Sequence, residues 1–300
     1  YDTIVFDNLV HGHLEAVKWG TFVNGDLCSI NDIEAVFNKH EIEAVFHFAA
    51  YAYVGESVIE PEKYYYNNVV NTLNLLKVMR KYDCNKIIFS STCATYGEPD
   101  TVPITESMKQ NPINPYGMTK FIIERVFLDY AKAYGLKFAV LRYFNAAGAD
   151  PDGEIGESHT PETHIIPLLL DAASGKRSCI KIFGTDYDTN DGSCIRDYIH
   201  ATDLADAHIR SLKYLDNGGA SDFFNLGNTK GTSVLELVDV VKDITGRDFP
   251  VIHAPRREGD PAVLVGSNEK AQVVLGWEPK YADIDTIVAH AWKWHENAEY

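Results

Sequence analysis

Residues 86–91 read KIIFSS, an apolar run that ends in two hydroxyl side chains. Three further runs of this kind lie in the first half of the chain: DTIVF at 2–6, EAVFHFA at 43–49 and KFAVLRYF at 137–144. Short runs that are apolar almost throughout are typical of strands buried on both faces of a parallel sheet. The four runs therefore predict an α/β fold built on a Rossmann-like, doubly wound parallel sheet.

Helix-length amphipathic segments separate these runs, and the longest two are predicted over about 61–82 and 115–134. Each begins with a proline near its first turn, where a missing backbone N–H costs nothing. After about residue 146 the loops become rich in Gly, Asp and Thr. We therefore expect a first domain over 1–146 and a smaller ligand-binding lobe over 147–300, partly interleaved with the first.

Composition limits the classes of function. The chain has 300 residues, 45% of them hydrophobic, and a net charge of −16, which disfavours a general nucleic-acid or anionic-membrane binder. Its five cysteines are scattered without a C-x-x-C pair, which argues against a disulfide framework or a cysteine zinc site. No metal site is predicted. The odd number and scattered positions of the cysteines indicate a reduced, cytoplasmic protein, and no apolar run is long enough to span a membrane.

The stretch INPYGMTK at 113–120 places Tyr116 and Lys120 four positions apart, on one side of the helix that begins there. A lysine ammonium favours the phenolate form of a nearby tyrosine, which could make Tyr116 a base near neutral pH. Taken alone, the pair is a weak signal, because a solvated pair on a helix surface has the same spacing.

Hydroxyl side chains strengthen the signal. Ser90, Ser91 and Thr92 end the strand about twenty residues upstream of Tyr116. Ligands of open parallel sheets bind beyond the carboxyl ends of the strands. Although Ser and Thr at a strand end also serve as helix caps, their combination with Tyr116 and Lys120 indicates one reaction site.

The chain resembles the UDP-glucose 4-epimerases of the extended short-chain dehydrogenase superfamily over essentially its whole length. The motifs that carry the resemblance occur in the family's order and spacing: HFAAYAYVGES, YYYNNVVNT, FSSTCATYG, NPYGMTK, LRYFNAAGA, DGSCIRDYIHATDLA, NLG and APRREGD. The resemblance implies a tightly held NAD in the first domain, a UDP-hexose substrate, inversion at sugar C4 and a homodimer formed through the helices at about 61–82 and 115–134.

The resemblance also implies individual roles. Tyr116 would take the proton of the sugar 4-hydroxyl, Lys120 would hold the cofactor ribose and lower the pKa of Tyr116, and Thr92 would bridge the sugar oxygen to the phenol. The positions implied at the cofactor, besides Tyr116 and Lys120, are Asp7, Asn8, Asp26, Leu27, Phe48, Ala49, Asn67, Ser90 and Tyr143. Those implied at the substrate, besides Thr92, are Asn145, His164, Phe183, Arg196, Tyr198, Arg257, Asp260 and Leu264.

The sequence departs from the family pattern in a few places. Ala52 stands where some members have a lysine, and His164 where others have Asn. The chain begins at what resembles the second strand of a dinucleotide fold, ending at Asp7, without the first strand, Gly-rich turn and helix. We expect about 25–30 further residues upstream in the working protein, making up most of one βαβ unit.

Two alternatives stay open at this point. A nucleotide-sugar 4,6-dehydratase would need an Asp-Glu pair after the strand-end threonine, where this chain has Cys93 and Ala94. A non-catalytic nucleotide-sugar-binding module is conceivable only if the polypeptide truly starts at Tyr1. Bound nicotinamide, visible in an ultraviolet spectrum, would separate the module from the epimerase.

Overall fold

A computed structural model describes residues 1–257 and 260–300, so Glu258 and Gly259 of the APRREGD stretch lie outside the described residues. The strands are β1 (Ile4–Asp7), β2 (Thr21–Asn24), β3 (Val45–His47), β4 (Lys86–Thr92), β5 (Lys137–Tyr143), β6 (Asn145–Ala147), β7 (Ile180–Phe183), β8 (Ile195–Arg196), β9 (Tyr198–His200), β10 (Asp222–Leu226), β11 (Thr232–Ser233), β12 (Val251–Ala254) and β13 (Val263–Leu264). The α-helices are α1 (Ile30–Lys39), α2 (Val54–Ile59), α3 (Pro61–Tyr64), α4 (Asn71–Lys81), α5 (Pro115–Tyr134), α6 (Ile165–Ala173), α7 (Ala201–Asp216), α8 (Val234–Thr245), α9 (Glu269–Leu275) and α10 (Ile284–Asn297).

The main sheet has the strand order β10-β5-β4-β3, and all its neighbouring strands are parallel. The four predicted apolar runs become β1, β3, β4 and β5, which confirms the parallel α/β fold. Strand β1 pairs in parallel with β2, which the sequence analysis missed. Strand β2 is only four residues long and exposed at both ends, so it lacks a long apolar run.

The two long helical segments agree closely with the prediction. Helix α3, a π-helical segment at Tyr65–Val70 and α4 follow one another without a break from Pro61 to Lys81. Helix α5 begins with Pro115 and ends at Gly135, whose φ of 72° lies in the left-handed region that glycine adopts readily. Local sequence signals therefore set both ends of α5.

Several clusters of buried side chains among the described residues hold these layers together. Under the main sheet, aromatic rings from β4, α5 and β5 are fully buried against one another: Phe89, Phe127 and Phe138. A second buried cluster, centred on α6, α8 and α10, draws its members from residue 147 onward. Strand β10 of this later part completes the main sheet beside β5.

The parallel order brings the carboxyl ends of β4 and β5 side by side, because Thr92 pairs with Tyr143 in the register of these strands. This edge is where a ligand of an open α/β sheet is expected. No helix among the described residues combines the length and apolar character needed to cross a membrane.

Candidate active site

The site begins at the carboxyl end of β4. Ser90, Ser91 and Thr92 are all buried there, and a short 3-10 turn follows at Cys93–Thr95. The Thr92 hydroxyl oxygen accepts the backbone N–H of Ala94 at 3.1 Å, which caps this turn. Because that bond uses the oxygen as an acceptor, the Thr92 hydroxyl proton is available for a ligand or a neighbouring side chain.

The beginning of α5 packs directly against this turn. The Asn114 side chain accepts the N–H of Gly117 at 2.8 Å and caps the helix. A Cβ at Gly117 would lie 2.5 Å from the carbonyl oxygen of Ala94, so only glycine allows this close approach. The contact brings Tyr116 next to Thr92, as the sequence analysis expected.

Burial is the largest influence on Tyr116. It raises the pKa of the phenol above its ordinary value of 10, and the neighbouring Thr92 hydroxyl acts in the opposite direction by hydrogen bonding. In the protein without ligands, Tyr116 is therefore a neutral phenol at physiological pH. A base at this position needs additional positive charge nearby.

Lys120 lies one helical turn further along α5 and is buried, with 2% of its surface exposed. Its Nζ donates a hydrogen bond to the carbonyl oxygen of Ser90 at 2.7 Å and lies 4.7 Å from the centre of the Phe89 ring. Burial lowers the Lys120 pKa from 10.5 to about 7, while the Glu124 carboxylate raises it. The ammonium therefore points at the end of β4.

Tyr143 completes this group from the neighbouring strand. It ends β5, and its hydroxyl is hydrogen-bonded to the Ser90 hydroxyl. Burial raises the Tyr143 pKa. The structure thus brings Ser90, Thr92, Tyr116, Lys120 and Tyr143 together at the edge formed by β4 and β5.

The other residues implied at the cofactor lie around the carboxyl ends of β1, β2 and β3, except Asn67, which lies in the π-helical segment. Asp7 accepts the N–H of Leu9 through Oδ1 at 2.6 Å, and within residues 1–257 and 260–300 its Oδ2 accepts no hydrogen bond. Asn8 donates its side-chain N–H to Asp26 at 2.8 Å. The other members of this set are partly or fully exposed: Leu27, Phe48, Ala49 and Asn67.

The implied diphosphate residues also come together, although they are far apart in sequence. Arg196 Nη2 lies 2.7 Å from Asp260 Oδ1, and Arg257 Nη2 lies 3.2 Å from Asp260 Oδ2. The guanidinium of Arg257 lies over the Phe183 ring, 4.9 Å from its centre. Two guanidinium groups held by one carboxylate leave a net positive surface, which suits a diphosphate.

The remaining substrate positions differ in exposure. Asn145 on β6 is half-buried and donates to the Asp197 carbonyl at 2.9 Å. Tyr198 is buried in the cluster around α6 and α8, and its hydroxyl has no partner among the described residues. Leu264 is half-buried beside Phe144, whereas His164 is exposed and contacts Glu157.

The catalytic and diphosphate groups lie within electrostatic reach of each other. Cys93 directly follows Thr92, and burial raises its thiol pKa to about 12. The positive charge of Arg196 acts on the same thiol in the opposite direction. Arg196 is therefore close to the turn that carries Thr92, so one ligand could contact both groups.

Sequence analysis missed a buried polar network beneath the site. Glu124 of α5 accepts two hydrogen bonds from Arg142 of β5, at 2.6 and 3.0 Å, and one from Ser91 at 2.6 Å. Glu124 lies four residues after Lys120, so the i to i+4 spacing along α5 was the available signal. Its partner Arg142 stands in an apolar strand, where a charged side chain also indicates a buried partner.

Comparisons with known proteins fit this geometry. The model of the NAD dependent epimerase/dehydratase family matches residues 1–227. A UDP-glucose 4-epimerase of Halalkalibacterium halodurans is 54% identical over 293 residues, covering 98% of this chain and 88% of its own length.

Solved structures of UDP-glucose 4-epimerases are similar to this chain over nearly its whole length. A UDP-glucose 4-epimerase from Brucella ovis in complex with NAD superposes with a TM-score of 0.95 at 50% identity, covering 97% of this chain and 90% of its own. One from Bifidobacterium longum in complex with NAD+ and UDP gives a TM-score of 0.93 at 35% identity, covering 99% and 92%.

The donor set of this chain suits NAD. A carboxylate at a strand end, such as that of Asp7, can accept hydrogen bonds from ribose hydroxyls, and the buried ammonium of Lys120 is a hydrogen-bond donor. Both positions are the ones that the sequence resemblance implied. The chain therefore belongs to the NAD dependent epimerase/dehydratase family and, within it, to the UDP-glucose 4-epimerases.

Proposed function

We propose that Tyr116, Thr92 and Lys120 form the catalytic group with which this NAD-dependent isomerase interconverts UDP-glucose and UDP-galactose. The observation that carries the proposal is the convergence of a phenol, a hydroxyl and an ammonium at the carboxyl ends of β4 and β5. NAD, when bound, would supply the hydride chemistry, taking a hydride from sugar C4 and returning it to the opposite face.

The protein supplies the proton transfer. Tyr116 removes the proton of the 4-hydroxyl as the C4–H bond breaks, and gives it back when that bond re-forms, so no net oxidation occurs. Thr92 has its proton free to bridge the sugar oxygen and the phenol. Because burial alone raises the Tyr116 pKa, positive charge from Lys120 and the cofactor must lower it in the loaded enzyme.

Binding of the nucleotide part belongs to the later residues of the chain. Arg196 and Arg257 hold the diphosphate, and Asp260, which already accepts from both, orients them and contacts the uridine ribose. Asn145, Phe183 and Tyr198 surround the rest of the nucleotide. The hexose carries few fixed contacts, which leaves the 4-keto sugar free to turn over between the two hydride transfers.

The dehydratase alternative is disfavoured by the position after Thr92. Cys93 is a thiol whose pKa burial raises to about 12, and Ala94 has no titratable group. Neither residue can act as the acid or base of an elimination near neutral pH.

A single substitution tests the proposed base. Tyr116→Phe keeps the ring and removes the hydroxyl, so conversion of UDP-galactose to UDP-glucose should fall by about 10²–10⁴-fold. The affinity for UDP should stay unchanged, because the nucleotide residues are untouched. The matched control is Tyr134→Phe, a tyrosine at the exposed end of the same helix. Retention of more than about a tenth of the activity in Tyr116→Phe would remove Tyr116 from the mechanism.

We also propose a homodimer formed through the segment from α3 to α4 and through α5. Supporting it, apolar side chains lie exposed along the segment from α3 to α4, among them Tyr65, Tyr66, Val70 and Leu73. A monomeric mass by light scattering would contradict this proposal. A cytoplasmic location is likewise proposed, supported by the five cysteines, which are all free thiols.

A further inference from the structure

The loop before α6 gathers four potential metal ligands that the proposed catalytic steps do not use. Glu157, His159, Glu162 and His164 each offer one ligand atom, and these atoms all lie within 4.8 Å of one another. They follow the pattern E-x-H-x-x-E-x-H along one short segment. The sequence analysis predicted no metal site and placed His164 among the implied substrate positions.

Three of the distances between nitrogen and oxygen atoms of these residues are close to the edges of a tetrahedral site, and a fourth pair is in direct contact. His159 Nδ1 lies 3.2 Å from Glu157 Oε1 and 3.7 Å from Glu162 Oε2, and His164 Nδ1 lies 3.9 Å from Glu162 Oε1. His164 Nδ1 also contacts Glu157 Oε1. Around a zinc ion with ligands at about 2.0–2.1 Å, neighbouring ligand atoms are about 3.3–3.4 Å apart.

One of these atoms lacks a hydrogen bond. His159 Nδ1 is sealed from solvent and has no hydrogen-bond partner among the described residues, although Glu157 Oε1 is only 3.2 Å away. The short distance alone does not make a hydrogen bond, because the angle at the donor must also be suitable. A cation between the two atoms would satisfy both.

The charge of the cluster is compatible with a cation. With both imidazoles neutral, the two carboxylates give a formal charge of −2, which a divalent cation balances. Imidazole nitrogens and carboxylate oxygens together are a ligand set that zinc accepts readily. Both glutamates are largely buried, with 19% and 14% of their side chains exposed, so their charges are only partly solvated.

Contacts outside the cluster orient its members. The carboxylate of Glu162 accepts the backbone N–H groups of Thr163 and His164, at 2.6 and 2.8 Å. The Glu157 carbonyl accepts the indole N–H of Trp294 in α10 at 3.0 Å, which fixes the loop to the body of the protein. Such outer contacts are typical of metal sites, where they hold the ligands in place.

We propose that Glu157, His159, Glu162 and His164 bind one divalent transition-metal ion such as zinc, which clamps the loop before α6. The cluster shares no residue with the catalytic group or with the implied cofactor positions. It shares His164 with the implied substrate positions, and a bound cation would tie this side chain to the loop rather than leave it free for the hexose. Two protonated imidazoles bridging the glutamates are the competing arrangement.

Zinc uptake by the full-length protein tests the proposal. After removal of metals with a chelator, wild-type protein should take up one Zn²⁺ per chain by calorimetric titration. His159→Ala should weaken this binding by at least about 10–100-fold, the loss seen when even outer contacts of a metal site are removed. The matched control, His253→Gln, changes an exposed histidine on β12 and should bind like wild type.

A spectrum of wild-type protein loaded with Co²⁺ needs no variant and should show the intense visible bands of a four-coordinate ion. It keeps the test decisive if His159→Ala fails to fold. The proposal is wrong if wild-type protein takes up no Zn²⁺ from excess metal, as protonated imidazoles would require. Equal binding in wild type and folded His159→Ala would also overturn it.

Discussion

The Glu124–Arg142 pair beneath the active site makes a sharp prediction about stability. The guanidinium of Arg142 donates to both carboxylate oxygens of Glu124, at 2.6 and 3.0 Å. Only 1% of Glu124 and 3% of Arg142 is exposed. Each charge has therefore lost nearly all its hydration, and its stability depends on the partner.

Replacing Arg142 with Met leaves the Glu124 carboxylate buried without a countercharge. Its hydrogen bonds from Ser91 at 2.6 Å and Gln110 at 2.8 Å remain, but both donors are neutral. Breaking a buried pair in this way typically costs about 3–5 kcal/mol. Since 1 kcal/mol corresponds to about 2–4 °C for a large domain, the melting temperature should fall by about 6–20 °C.

A second substitution distinguishes this cause from a simple packing defect. In the double variant Glu124→Gln with Arg142→Met, the amide introduced at position 124 can still form hydrogen bonds with Ser91 and Gln110. No buried charge is left without a partner. Most of the lost stability should return, because replacing both members of a buried pair is often close to neutral.

The free energy of unfolding, measured in urea for wild type, both single variants and the double variant, gives the coupling directly. The matched control is Lys81→Met, which breaks an exposed pair with Glu34 at 2.8 Å and should leave stability unchanged. The reasoning is refuted if Arg142→Met costs less than about 1 kcal/mol, or if the double variant is no more stable than the single one.

Other predictions concern the site. Thr92→Val should lower turnover substantially while Thr92→Ser stays close to wild type, and equal rates in the two variants would exclude the hydroxyl bridge. Arg257→Ala should weaken UDP binding by about 1.5–3 kcal/mol without loss of stability, because that side chain is mostly exposed; unchanged affinity by calorimetry would place the diphosphate elsewhere. Leu264 is smaller than tyrosine, so we expect a clear preference for UDP-glucose and UDP-galactose with weak use of N-acetylated sugars. Leu264→Tyr should abolish the use of N-acetylated sugars. Comparable rates of the wild-type protein on both sugar classes would contradict this expectation. Burial lowers the His47 pKa from 6.5 to about 3. The contribution of the neutral ring to the free energy of unfolding is therefore fully present above pH 6.5 and is lost as the pH falls toward 3. His47→Gln should reduce the pH dependence of unfolding in that window by up to about 1.4 kcal/mol per pH unit, and an unchanged slope would show that His47 is not responsible.

Local signals were sufficient for much of the fold. Helix α5 was predictable because a proline at its first position and a left-handed glycine after its last residue both act within one turn. Strand β4 was predictable because both its faces are buried, which leaves an unbroken apolar run. Strand β2 was not, since its four residues are exposed at both ends and half-buried between them, so they carry no such pattern.

The site was predictable only in part from local sequence. Tyr116 and Lys120 share one helix, so their common side follows from helical spacing. Arg196 and Asp260 are 64 residues apart and meet through the pairing of β8 and β13, so their contact could be foreseen only by family resemblance. The Glu124–Arg142 pair was not predicted, because the family resemblance named residues that contact ligands and not residues of the core.

Helix α5 links stability and chemistry along one face. Tyr116, Lys120 and Glu124 follow each other at four-residue intervals, so a phenol, an ammonium and a carboxylate succeed one another from the site toward the core. Burial alone would make Lys120 neutral, and the Glu124 carboxylate opposes this by raising the Lys120 pKa. A lysine with a pKa near 7 is therefore the outcome of burial, opposed by a carboxylate that hydrogen bonds from the Arg142 guanidinium hold in place.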